Sequence, residues 1–161
     1  MKLNTEISLM FNGQCEAAFR LYERCLNGNI AFMLTWGNSA ASADTPPGWE
    51  AKIYHATLRI GDTVIMGGDV PASRYEQPRG FSLVLGMDDP DAAEHIFNAL
   101  SEEGSIEMPL QETFWASRFG SVVDQFGIRW AINCERSGEA AAPCADGAKR
   151  RALHGAEHSE P

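Results

Sequence analysis

MPLQETFWASRFGSVVDQFGIRWAINCE, residues 108–135, is the stretch whose reading decides the fold. Its second half alternates apolar and polar residues on both sides of Asp124-Gln125-Phe126-Gly127, so it ends in a β-hairpin. Ahead of the hairpin, Ser105 to Leu110 reads as a strand, and a loop carrying Phe114 and Trp115 joins the two. Further out, FSLVLGM (81–87) is a strand and Asp89-Pro90 supplies an N-cap followed by proline at the first helical position. Ala93, Ile96, Phe97 and Leu100 then repeat at helical spacing until Gly104. The order is strand, helix, strand, strand, strand.

The same order occurs once before. Thr5 to Phe11 is a strand, and Asn12-Gly13 opens a helix predicted over 14–27. Cys15, Ala18, Phe19, Tyr22, Cys25 and Leu26 face one side of that helix, and Gly28 is placed as its C′ residue. Ile30 to Trp36 is a strand, and Gly37 to Glu50 is a long Gly, Ser, Ala, Asp and Pro-rich loop. IYHATLRI and TVIMGGDV then pair across Gly61-Asp62. EAAFRLYERCLNGNI (16–30) overlays DAAEHIFNALSEEGSI (91–106), a repeat of about 75 residues, which is a duplicated module rather than a solenoid unit. Two βαβββ modules, about 1–75 and 76–136, predict an α+β domain over 1–136. The expected shape is an eight-stranded curved mixed sheet, with helices on its outer face and a concave cup within. Residues 137–161 hold one large aliphatic, Leu153, and predict a disordered tail. His154 and His158, four apart within it, read as part of that polar tail rather than as a metal pair.

Composition narrows the function. The 161 residues carry a net charge of −9, which repels phosphate backbones, so neither nucleic acid nor an anionic membrane is an expected partner. No apolar run approaches a membrane span, and the N-terminal run is too short for a signal peptide, so a cytoplasmic protein is expected. Cys15, Cys25, Cys134 and Cys144 form no CxxC pair and no zinc spacing. There is no GxSxG elbow, P-loop or GxGxxG turn.

FNGQCEAAFRLYE, HATLRIGDTVIMGGD and the stretch at 108–135 together resemble the vicinal-oxygen-chelate superfamily of glyoxalases, extradiol dioxygenases and bleomycin-resistance proteins. The resemblance is to its PhnB-like, demethylubiquinone-methyltransferase-like branch. It implies a small-molecule site in the cup and, in most members, a metal held by His and Glu. The corresponding positions are Ile7, Met66, Ser82 and Ala131, none of which is a His or carboxylate, so neither metal nor other cofactor is expected. Pairing across Gly61-Asp62 puts His55 and Thr57 on the cup face with Met66, and the same logic in the last hairpin puts Arg118 and Asn133 there with Ala131. His55 reads as a general base or as a hydrogen-bonded sheet histidine. Arg118 reads as an anion clamp or as the partner of Glu112 or Glu107. Trp115, with Phe114, reads as dimer interface or cup rim, Trp36 as a rim residue at the mouth of the long loop, and Glu112 as a further ligand-binding candidate. Exposed aromatics and open strand edges point to a homodimer. Two functions fit: a metal-independent binding protein for a small organic ligand, or an enzyme acting on a small oxygenated substrate.

Overall fold

The computed structural model describes residues 5–136. Its strands and helices are β1 (Ile7–Phe11), α1 (Cys15–Cys25), β2 (Asn29–Thr35), β3 (Ile53–Ile60), β4 (Thr63–Asp69), β5 (Leu83–Met87), α2 (Pro90–Ser101), β6 (Ser105–Gln111), β7 (Ala116–Val123) and β8 (Arg129–Glu135). This is the expected α+β fold of two βαβββ modules. The stretch expected to form a tail lies outside the described residues.

The strands form two four-stranded mixed sheets, ordered β1-β4-β3-β2 and β5-β8-β7-β6, with the outer β1 and β5 parallel to their inner neighbours. One eight-stranded sheet within the chain was expected; instead the modules keep separate sheets. The reason lies in how the helices pack. Tyr22 on α1 lies over its own sheet, yet its ring centroid is 5.0 Å from that of Trp130 on β8. Phe126 makes edge contacts with both Tyr22 and Phe11. Leu9, Phe19 and Leu58 of the first module share one buried core with Val122, Trp130 and Ile132 of the second. The helix-covered faces of the two sheets therefore look toward each other, and their uncovered faces point away from the shared core.

Two buried aspartates hold this arrangement. Gln14, at the N-cap of α1, makes no side-chain capping bond. Instead Asp69, at the end of β4, accepts from the Cys15 amide at 2.8 Å and the Ile53 amide at 2.8 Å. A carboxylate at a helix N-terminus satisfies an otherwise orphan donor and complements the helix dipole. Asp69 is 3 % exposed. Asp124 accepts from the Tyr22 hydroxyl at 2.6 Å, Trp130 Nε1 at 2.9 Å and the amides of Phe126 and Ile128, each at 2.9 Å. It joins the helix of one module to the hairpin of the other.

Helix ends differ slightly from expectation. α1 closes with Asn27, not Gly28, in the left-handed region, and the Gly28 amide bonds the Glu23 carbonyl at 3.0 Å, a Schellman ending. Gly104 is needed for space, since a Cβ there would lie 2.5 Å from the Val123 carbonyl oxygen.

Candidate functional site

Alternation along the strands decides what each uncovered face displays. In the first module Thr57 pairs with Met66 and Arg59 with Val64 across the Gly61-Asp62 turn, as expected. Thr57 and His55 also sit opposite Phe32 and Leu34 of β2. Ala56, Leu58 and Ile65 point the other way into the core. His55 Nε2 and Thr57 Oγ1 are 3.2 Å apart, and the imidazole centroid is 6.0 Å from that of Phe32. The result is a half-buried imidazole–hydroxyl pair beside Met66, Leu34, Phe32 and Met10, with Ser8 and Arg59 on the same face. Such a pair offers one hydrogen-bonding edge within an apolar field, which suits orientation of a small molecule.

In the second module the parity of β7 differs from expectation. Asn133 pairs with Phe119, Ala131 with Ser121, and Arg118 with Cys134. Asn133, Ala131, Phe119 and Ser121 therefore share the uncovered face. Arg118 falls on the helix side, where its Nε donates to Glu94 of α2 at 3.0 Å. The cause is the turn. The Asp124 amide bonds the Ile128 carbonyl at 2.9 Å, leaving a three-residue loop with Gly127 at φ 83°. An odd loop length moves every β7 side chain to the opposite face from the one a four-residue turn gives. Glu112 pairs with Arg136 at 2.7 Å and Glu107 with Arg129 at 2.8 Å, so neither partners Arg118.

Trp115 packs edge-on to Phe119, with ring centroids 5.4 Å apart, and so lies at the border of the second uncovered face. Phe114, against Trp115 at 4.6 Å, is 86 % exposed. The loop bearing both rings is pinned: Thr113 accepts from the Ala116 amide through Oγ1 at 3.0 Å, and Arg136 donates to the Thr113 carbonyl. Trp36 is buried instead of rimming a face; its Nε1 donates to the Asp69 carbonyl at 3.2 Å and its ring meets Tyr54 at 5.0 Å. The structure thus brings His55 and Thr57 together on one face and Asn133 with Trp115 near the other, but does not place the two groups across a common cup within one chain.

The position matched to Ile7 shifts by one. Ile7 shares the side of Leu9 and Phe11, and Ser8, paired with Met66, takes the uncovered face. A hydroxyl, a thioether and the methyl of Ala131 do not make a divalent-metal donor set. Among the described residues no cluster of three His, Cys, Asp or Glu is suited to hold a metal.

Cys15, Cys25 and Cys134 are buried free thiols. Burial pushes the Cys25 thiol up to about 11, and burial with the nearby Asp69 and Glu16 carboxylates pushes that of Cys15 higher still. Thiolate is the reactive species. We expect a Cys144→Ser variant to resist an aromatic disulfide reagent at pH 8 and to react fully once unfolded in guanidinium. Rapid labelling of the native variant would contradict this packing.

Tandem βαβββ modules with open sheet faces define the glyoxalase-like class. A glyoxylase/bleomycin resistance protein/dioxygenase domain from Frankia sp. EAN1pec has this fold, at TM-score 0.57 and 15% identity over 84% of this chain and 99% of that one. The chain belongs to the family described as 3-demethylubiquinone-9 3-methyltransferase, whose model matches residues 4–133. It is similar to protein YjdN of Escherichia coli (strain K12), 36% identical over 133 residues, which span 78% of this chain and 90% of that protein. It is also similar to protein PA1353 of Pseudomonas aeruginosa, whose crystal structure gives TM-score 0.76 at 41% identity over 83% of this chain and 98% of that one. No helix among the described residues is long and apolar enough to cross a membrane.

Proposed function

We propose that this protein binds a small organic molecule without a metal, on the uncovered faces of its two sheets, and that it works as a homodimer. The observation that carries the reading is the make-up of those faces. His55–Thr57 in one module and Asn133 in the other are hydrogen-bonding groups set among Met66, Phe32, Phe119 and Trp115. A few fixed polar groups in an apolar surround are how small-molecule sites achieve orientation. A methyltransferase reading draws no support from the one strand–turn–helix of the first module. There the first amide of α1 is filled by the Asp69 carboxylate, which would repel an anionic or carboxylate-bearing cofactor. The exposed Phe114 on a pinned loop supports association with a second copy.

A thermal-shift screen of ring-bearing oxygenated metabolites and antibiotics tests the binding reading. A ligand at a hundred times its Kd is expected to raise Tm by about 8 °C. His55→Ala and Asn133→Ala are each expected to reduce that shift, and Arg118→Ala to leave it unchanged. Stoichiometric divalent metal in the purified protein would overturn metal independence.

The 3.2 Å contact between His55 and Thr57 favours a second reading, an enzyme using the imidazole as acid or base on an oxygenated substrate. Turnover that survives His55→Ala would exclude it.

A further inference from the structure

Both modules carry an arginine–valine pair at the turn end of their last hairpin, with the two members exchanged. On β3 and β4 Arg59 opposes Val64, and on β7 and β8 Val123 opposes Arg129. Both arginines stand on uncovered faces, since their strand neighbours Leu58 and Trp130 enter the core. Their charges are treated differently. Arg129 is neutralised by Glu107 of β6 at 2.8 Å. Arg59 is exposed, and among the described residues no carboxylate lies within ion-pair distance of it. Opposite it on β2 stands Asn29, an amide that offers hydrogen bonds but no charge.

We infer that Arg59 is the anion-holding residue of the first open face, and that the ligand is a small organic acid or phosphoryl compound. Its anionic head takes at Arg59 the place that Glu107 takes at Arg129. This rests on the reading of the open faces as the binding surface and adds the charge of what they bind.

The rest of the face sets the shape of the molecule. Arg59, Thr57 and His55 follow one another on one side of β3, with backbones about 7 Å apart in turn. Beyond the Arg59–Asn29 end, Phe32 and Met66 flank Thr57. The His55 imidazole, 3.2 Å from Thr57 Oγ1, lies farther along. A ligand with its head on Arg59 therefore lays its body across Phe32 and Met66 and reaches His55 only with its far end. A ring or branched chain fits the body, and a hydroxyl or carbonyl fits the far end.

Charge sharpens the choice. The chain's net charge of −9 repels anions at long range. Leaving water for an apolar face costs an anion its hydration, and a fixed cation without an internal partner offsets that cost. Guanidinium grips carboxylate or phosphoryl oxygens with two parallel donors, which an ammonium does not. A neutral or cationic ligand would cover Arg59 and give it no counter-charge.

Titrations of isotope-labelled protein, read by the nuclear magnetic resonance signals of its amides and arginine Nε–H groups, test this. The probes are phenylacetate, phenyl phosphate and the neutral phenylacetamide. At least one anion is expected to bind in the millimolar range, shifting the signals of Arg59 and of Phe32 to Leu34. Phenylacetamide is expected to bind about tenfold more weakly, and Arg59→Ala to weaken the anion by about the same factor. Arg59→Lys should fall between. Arg24→Ala, which removes an exposed charge from α1, should change nothing. A preference for phenylacetate or for phenyl phosphate supports the assignment either way and tells which head is held. Equal binding of phenylacetamide and both anions at Phe32 would overturn the anionic head and leave the open face as the site. Failure of both anions to bind up to their solubility limits would overturn it too. Anion binding that shifts no residue of β2, β3 or β4 would overturn both the role of Arg59 and the reading of this face.

Discussion

Asp124→Ala is expected to lower the free energy of unfolding by about 4 kcal/mol, enough to leave a domain of ordinary stability partly unfolded at 37 °C. The carboxylate is 3 % exposed and accepts from four donors: the Tyr22 hydroxyl, Trp130 Nε1 and two backbone amides of its own turn. Alanine removes the acceptor and strands two buried side-chain donors together with the amides that shape the hairpin. Each unsatisfied buried group costs about 1–3 kcal/mol, and part is recovered where the turn amides reach water. Tyr22→Phe removes one partner only, and a loss of about 1 kcal/mol is expected. Urea unfolding followed by tryptophan fluorescence measures both; a loss under 1 kcal/mol for Asp124→Ala would show that the modules are not joined through this carboxylate.

The same contact sets an alkaline limit. Burial, and after it the Asp124 carboxylate, push the Tyr22 hydroxyl well above its ordinary 10.0. The unfolded chain releases this proton near 10.0 while the folded protein keeps it, so the unfolded state binds fewer protons above that pH. Stability must then fall as pH rises past 10. Cys25, raised from 9.0 to about 11, adds a fall of the same sign that begins near pH 9. Tyr22→Phe should therefore flatten the slope above pH 10 without abolishing it.

Much of the fold was legible in the sequence because its signals are local. Gly61-Asp62 sets a two-residue turn whose register, Ile60 to Thr63, follows from turn chemistry. Asp89-Pro90 starts α2 as its side chain dictates, with Asp89 Oδ1 accepting from the Asp91 and Ala92 amides. The placement of His55 and Thr57 inherits that certainty. The placement of Arg118 had no such support: whether DQFGI forms a three- or four-residue loop depends on where the Asp124 side chain turns, and one residue of difference reverses the face. The direction of the two sheets was less legible still. It depends on Tyr22 meeting Trp130 more than a hundred residues away, which no periodicity encodes. The aspartate hubs left only a faint signal, a single carboxylate after Met-Gly-Gly at 66–68 and another ahead of Gln-Phe-Gly.

Asp69→Ala is the second large effect, with an expected loss of about 3 kcal/mol. Asp69 replaces the missing N-cap of α1, and the same carboxylate holds the amide of Ile53 where β3 leaves the long loop. Its backbone carbonyl receives Trp36 Nε1, so the loop's first turn is fixed to the same residue. Asp69→Asn keeps one acceptor oxygen and is expected to retain about half of the lost stability. The two aspartates grip α1 at different points, Asp69 at its first amide and Asp124 through Tyr22 near its last turn. Losing either lets the helix shift and weakens what the other can hold, so the two substitutions are coupled. The double alanine variant is expected to lose native near-ultraviolet circular dichroism altogether. If it instead stayed folded with a loss equal to the sum of the single variants, α1 would have to be held by core packing alone. That packing, of Ala18, Phe19 and Tyr22 between the two sheets, would then be what keeps the open faces pointing apart.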